Sequence, residues 1–170
     1  VNNYSYEKLI DIFRRYGEEK YASIIAKGIV KYREKKEIKT TLELTEIIKQ
    51  NVPIKYRREK HPARKVFQAL RIEVNNELEV FEKALRDSLE LLNKNGRICV
   101  ITFHSLEDRI CKNIFNEVSK IPKELNKLPT IPDEYKPKYK IIANIKPSDK
   151  EIEENNRARS ARLRVIERGW

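Results

Sequence analysis

The sequence predicts a mixed α/β fold, with amphipathic helices first and the pattern of the back half of a doubly wound sheet after them. Three observations lead there. Apolar residues recur at helical spacing from Leu9 to Leu92, and the period breaks at "NKNG" (Asn93 to Gly96). A nearly continuous β-branched run, "RICVITF", comes next. Two further strand-like segments, "KYKIIANIK" and "ARLRVIER", follow later. With 170 residues the chain suits one domain, or a small domain with an appendage. The expected division is a helical subdomain over residues 1–54, a basic linker over 55–61 and an α/β part over 62–170.

In "YSYEKLIDIFRRYG", Ser5 is placed to cap a helix whose apolar stripe is Leu9, Ile12, Phe13 and Tyr16, with Gly17 as the stop. "EEKYASIIAKGIVKYREKK" continues at helical spacing through Tyr21, Ile24, Ile25, Gly28, Ile29 and Tyr32. A glycine there costs about 1 kcal/mol against alanine, which points to close helix packing. Thr40 and Glu43 have the spacing of a capping box that opens "TLELTEIIKQNV", and Pro53 ends that helix. "PIKYRREKHP" is basic, lies between Pro53 and Pro62, and reads as the linker. Pro62 then suits the first turn of "PARKVFQALRIEVNN". A helix from about Glu77 to Leu92 buries Leu78, Phe81, Leu85, Leu89 and Leu92. "RICVITF" has the pattern of a strand buried on both faces, and "SLEDRICKNIFNEVSK" returns to helical spacing with Leu106, Ile110, Ile114 and Val118. A loop marked by Pro122, Pro129, Pro132 and Pro137 leads to the last two strands, which "PSDKEIEENNRARS" joins.

The formal net charge is +11, with lysine and arginine gathered in "KYREKK" (Lys31 to Lys36), "KYRREK" (Lys55 to Lys60) and "RARSARLR" (Arg157 to Arg164). Such a balance suits a polyanion, because neutralising phosphates releases condensed counterions; a solvated basic surface has the same composition. No apolar run approaches the roughly 20 residues of a membrane span, and no charged start leads into a signal segment, so the expected compartment is the cytoplasm without membrane contact. Cys99 and Cys111 form no close-spaced pair, and with only His61 and His104 to add, neither a metal site nor a disulfide is expected. Cys99 reads as a small buried side chain. The sequence has no methionine and starts at Val1, which permits the reading that it is part of a longer chain.

The stretch "VITFHSLEDR" concentrates the chemistry. A hydrolase triad of His104, Ser105 and Asp108 is disfavoured, because base and nucleophile adjoin across one peptide bond and no glycine elbow surrounds Ser105. A structural alternative has Ser105 capping the following helix, with Asp108 three residues on. A third reading uses position. Ligands of open α/β sheets bind beyond the carboxyl ends of strands, where His104 and Ser105 stand, with Arg109 one turn further to steady an anion.

Three long motifs, "HPARKVFQALRIEVNNELEVFEKAL", "NKNGRICVITFHSLEDRI" and "RARSARLRVIER", resemble the back half of the bacterial 16S rRNA cytosine-N4 methyltransferases, the small subunit methyltransferase H family. "LIDIFRRYGEEKYASIIAKGIV" is similar to that family's helical insertion. The resemblance implies a class I methyltransferase fold (Rossmann-like), S-adenosylmethionine as methyl donor, and a cytosine exocyclic amine in 16S rRNA of the small ribosomal subunit as substrate. It also implies His104, Ser105 and Asp108 as candidate active-site groups. The family's glycine-rich donor loop, its ribose-binding acidic residue and the motif after its fourth strand have no counterpart here. Gly17, Gly28, Gly96 and Gly169 are too widely spaced to form such a loop. The expectation is therefore a C-terminal portion lacking the N-terminal half of its domain, with no donor-binding residues of its own and inactive alone. A non-enzymatic basic RNA-binding module is the alternative.

Arg64, Gln68, Arg71 and Asn75 follow one another at helical spacing and make one polar face, read as an RNA contact or cleft lining, or else as a solvated face or arginines pairing with Glu73 and Glu77. Strand alternation puts Arg162 and Arg164 on one face of the last strand, with Arg157 and Arg159 in the loop before it. A basic edge strand also guards against aggregation. With the resemblance, these arginines and Arg109 are the expected RNA-binding set.

Overall fold

The computed structural model describes residues 1–59, 61–121 and 135–169. It divides into two compact units, residues 1–77 and 78–170.

The first unit is helical: α1 (Tyr6–Arg15), α2 (Ala22–Arg33), α3 (Thr41–Asn51), α4 (Ile54–Glu59) and α5 (Arg64–Asn75). The caps follow the sequence. Ser5 Oγ accepts from the Lys8 amide at 3.2 Å. The Thr40–Glu43 box closes with bonds of 3.1 and 3.0 Å. Leu9, Ile12 and Phe13 of α1 form one core with Ile25 and Ile29 of α2, Ile47 and Ile48 of α3, and Val66 and Ala69 of α5. The helix α5 thus belongs to this unit, and the boundary falls after Glu77 rather than in the basic stretch. Gly17 is where α5 comes close: a Cβ there would lie 2.7 Å from the Lys65 carbonyl oxygen.

The expected linker is corrected too, because Ile54–Glu59 is helical. Its anchor is Tyr56, whose hydroxyl donates to Glu19 Oε2 at 2.6 Å while Glu19, 1% exposed, accepts the Tyr21 amide at 2.9 Å. Tyr21 meets the Tyr56 ring edge-on at 4.9 Å, and the Lys20 ammonium lies over both rings. Burial, then the bond to Glu19, pushes the Tyr56 hydroxyl far above the ordinary tyrosine range. One aromatic residue with a buried acceptor is enough to fix a basic segment that composition reads as a connector.

Asn76, at φ 52°, ends α5 in the left-handed region, and α6 (Glu77–Leu91) starts at once. The second unit continues with β1 (Arg97–Thr102), α7 (Ser105–Ser119), β2 (Tyr139–Ile145), α8 (Asp149–Glu154), a 3-10 turn (Asn156–Ser160) and β3 (Arg162–Arg168). The sheet order is β1-β3-β2, with β3 antiparallel to both neighbours. Strands β1 and β2 therefore run in the same direction, and α7 lies on the crossover between them. At the turn before β1, Asn95 rather than Gly96 takes the left-handed conformation (φ 61°). Its amide donates to the Arg168 carbonyl at 2.7 Å, which locks the start of β1 to the end of β3.

Leu85 and Leu89 of α6, Cys111, Ile114 and Phe115 of α7, and Ile166 of β3 make the core of this unit. Among the described residues this core lies on one face of the sheet. In β1, Ile98, Val100 and Thr102 turn inward, whereas Arg97, Cys99 and Ile101 are exposed, so the strand is not buried on both faces and Cys99 is not a core residue. Across the outer face Cys99, Val165 and Ala143 align, as do Ile101, Leu163 and Ile145. Ile101 is 60% and Ile145 52% exposed. A β-bulge between Ile141 and Ala143 switches the facing of β2 along its length. Pro122, Pro129 and Pro132 of the expected proline loop lie outside the described residues. Among the described residues no helix is long and apolar enough to cross a membrane, and no three His, Cys, Asp or Glu side chains are grouped to hold a metal.

Candidate functional site

The carboxyl end of β1 leads through Phe103 and His104 directly into α7. The N-cap there is His104, not Ser105. Its backbone is extended (φ −139°, ψ 162°), and Nδ1 accepts the Glu107 amide at 3.4 Å. Glu107 reaches back to the amides of Phe103 at 3.0 Å and His104 at 3.4 Å, completing a capping box one residue earlier than the Ser105–Asp108 spacing suggests. A cap must sit in extended backbone, and Ser105 is already helical. Ser105 is exposed and its hydroxyl joins neither His104 nor Asp108, so the residues of a hydrolase triad are not assembled.

With Nδ1 accepting, the imidazole carries its proton on Nε2. That nitrogen is buried and makes no hydrogen bond. Glu107 Oε1 lies 3.3 Å away but off the N–H direction. Burial pushes the Glu107 carboxyl up, but the His104 imidazole and the two backbone N–H groups outweigh it, holding the carboxyl below the ordinary glutamate value.

Asp108, one position on, faces β3. Arg164 donates to it twice, Nε to Oδ1 at 2.7 Å and Nη2 to Oδ2 at 3.0 Å. The guanidinium holds the Asp108 carboxyl below its ordinary value against the opposing effect of burial. Arg164 is 8% exposed, because β3 is the middle strand and this face carries α7; the expected basic edge strand is corrected. Arg162, half-buried on the same face, donates to Asn144 Oδ1 of β2 at 2.7 Å. Arg109 is exposed on α7, and Arg157 and Arg159 are exposed on the 3-10 turn, whose Ala158 is buried. One end of the sheet thus gathers His104, Glu107, Asp108, Arg164, Arg162 and Asn144. Glu107 and Asn144 escaped sequence reading; the first has a signal, a glutamate three residues after a cap, and the second has none.

The α5 set stands apart, in the first unit. Arg71 forms a two-bond pair with Glu77 at 2.8 and 2.9 Å, Asn75 donates to the same carboxylate at 3.3 Å, and Gln68 donates to the Tyr16 carbonyl at 3.2 Å. Glu73 takes Lys8 and the Tyr4 hydroxyl instead of an arginine. Arg64 is exposed.

The second unit is thus mixed α/β, with polar groups collected at the carboxyl end of β1. Residues 1–169 match the model of the MraW methylase family. The chain belongs to that family, and so to the S-adenosylmethionine-dependent methyltransferases. The residues here do not fit the donor. Gly17 follows α1, Gly28 lies within α2, Gly96 precedes β1 and Gly169 follows β3, so no glycine lies between a strand and the helix after it. The N-terminus of α7 is closed by its own capping box.

Proposed function

We propose that this chain is the C-terminal portion, with the helical insertion, of an enzyme that methylates the N4 amine of a cytosine in 16S rRNA. In this reading it is the back half of a Rossmann-like class I domain working in the cytoplasm on the small ribosomal subunit. The family match over residues 1–169 carries the reading. The exposed apolar outer face of the sheet supports the partial domain: isoleucines at 60% and 52% exposure are what a missing layer leaves uncovered. The N-terminal half of the domain holds S-adenosylmethionine, and this chain alone binds none. On the substrate side, His104, Ser105 and Asp108 stand where the target base enters, with Asp108 fixed by Arg164. Methyl transfer to an amine depends chiefly on positioning the base, which must be splayed out of folded RNA. In this reading the exposed Arg64, Arg109, Arg157 and Arg159 meet phosphates, and Arg71, Arg162 and Arg164 hold Glu77, Asn144 and Asp108 in place.

The test incubates unmodified small subunits with isotopically labelled S-adenosylmethionine and either the 170-residue chain or the complete protein. The nucleosides are then analysed. N4-methylcytidine from the complete protein and none from the chain is the expected result. Label on any other atom rejects the substrate assignment, and micromolar donor binding by the chain in calorimetry rejects the partial-domain reading. A basic RNA-binding module, the second reading, is favoured by the net charge of +11 and predicts RNA binding with no transfer by either protein.

A further inference from the structure

The motif "KYREKK" is not accounted for by the site on the second unit, and the helical unit sorts its charges. Arg33 donates to the Val1 carbonyl at 2.8 Å, and Lys36 pairs with Glu43 at 2.8 Å. Among the described residues Lys31 and Lys35 form no ion pair: Glu37 pairs with Lys39 and Glu46 with Lys49, while Glu34, in the turn after α2, pairs with neither lysine. Lys31 stands in the last turn of α2 and Lys35 in the turn just after it. Both line a cleft of about 290 Å³ between α2 and α3, together with Gly28, Tyr32, Gln50 and Asn51.

That lining has a specific chemistry. The lysines are two cationic donors, and among the described residues no carboxylate lines the cleft with them. Tyr32 is half-buried and supplies an aromatic wall. Asn51 Nδ2 donates to the Ile47 carbonyl at 2.8 Å, which leaves Oδ1 as an acceptor beside the exposed amide of Gln50. Gly28 makes room for this amide, since a Cβ at that position would run into the Asn51 side chain. On the other side of Lys31 a second depression has Glu34 in its wall, which disfavours an anion there. Two cations, an aromatic wall and amide edges are the components of a single-stranded RNA site, in which phosphates meet lysine, a base stacks, and its edge meets amides. A cleft of this size admits one unpaired base and not a duplex.

We propose that the α2–α3 cleft is a nucleotide-binding site for single-stranded RNA, with Lys31 and Lys35 on successive phosphates and the base between Tyr32 and the Gln50 and Asn51 amides. This deepens the proposed function and rests on its RNA substrate. The test measures binding of a short, labelled, pyrimidine-rich single-stranded RNA to the full 170-residue chain by fluorescence anisotropy across a salt series. Both lysines are exposed, so Lys31→Gln/Lys35→Gln should leave the circular dichroism spectrum unchanged. It should lower affinity about tenfold and reduce the slope of log K against log salt by about 1.4, the value for two single-strand phosphate contacts. Lys94→Gln/Lys138→Gln, with the same change in charge on the second unit, should move affinity less than about threefold. If wild type binds RNA and the Lys31/Lys35 variant binds equally well, or falls no further than the control, the cleft is not the site and the RNA reading stands. If wild type binds no RNA, the RNA reading itself fails. Equal binding of polyglutamate by wild type would overturn the nucleotide assignment.

Discussion

Asp108 and Arg164 lend themselves to the sharpest test, because sequence reasoning gave each a separate functional role and the structure joins them. Asp108→Asn keeps the side chain's shape but removes the charge that neutralises a guanidinium only 8% exposed. Breaking a buried ion pair from one side costs about 3–5 kcal/mol. The Asp108 side chain is 26% exposed, so water screens part of the pair, and a loss of roughly 2–3 kcal/mol is expected. Arg164→Met leaves the carboxylate where water reaches it and should cost less, about 1–2 kcal/mol. Once the arginine is gone, the aspartate has no charge to balance. The double variant should then match Arg164→Met alone, a coupling of about 2–3 kcal/mol. The assay is urea unfolding of all four proteins, with hydrogen exchange of peptides from α7 and β3 to report the second unit. Single losses that add within about 0.5 kcal/mol would refute the reasoning. A stable Asp108→Asn with weakened RNA binding would return Arg164 to the phosphate-binding set.

At the cap, His104→Ala should lower stability by about 1 kcal/mol, and His104→Asn should recover most of it, because asparagine is a strong neutral N-cap. Equal losses in both variants, measured by denaturant midpoint, would show that the imidazole does something other than cap. Gly28→Ala gains about 1 kcal/mol of helix propensity but drives a methyl group into the Asn51 amide. The expected net result is a lower melting temperature, with a rise counting against close packing of α2 on α3. On the acid side, Asp108 titrates below the ordinary aspartate value of 3.8 in the folded chain. Its stabilisation is therefore complete above that pH and is lost as pH falls through the lower folded value. Glu43, held at about 2 first by Lys36 and then by the Lys39 and Thr40 amides, behaves likewise below its ordinary 4.5. Asp108→Asn should flatten the acid-induced loss of protection in α7 while leaving that in α3 unchanged.

Local rules carried well wherever the deciding interaction spans a few residues. The Ser5 cap, the Thr40–Glu43 box and the stripe of α1 are all set by side chains within one or two turns. The same rules misplaced the cap of α7, because serine outranks histidine as a cap in general and only the extended backbone of His104 singles it out. The linker reading failed for a longer-range reason. The polar composition of residues 55–61 is real, yet Tyr56 bonds a carboxylate 37 positions earlier in the chain.

The sequence by itself determined the order of the longer helices and the strands, the excess of positive charge and the absence of a glycine-rich turn between strand and helix. Each of these is a property of composition or of short-range periodicity, which needs no partner. Only the tertiary structure decided which charges are available. In the second unit it pairs Asp108 with Arg164 across 56 positions and puts β3 in the middle of the sheet, so that a basic strand becomes a partly buried one. In the first unit it engages Arg33 and Lys36 of "KYREKK", while Lys31 and Lys35 have no carboxylate partner among the described residues. An ionic side chain is functional or structural according to what lies within about 4 Å of it, and that distance is set by the folded chain rather than by spacing along it.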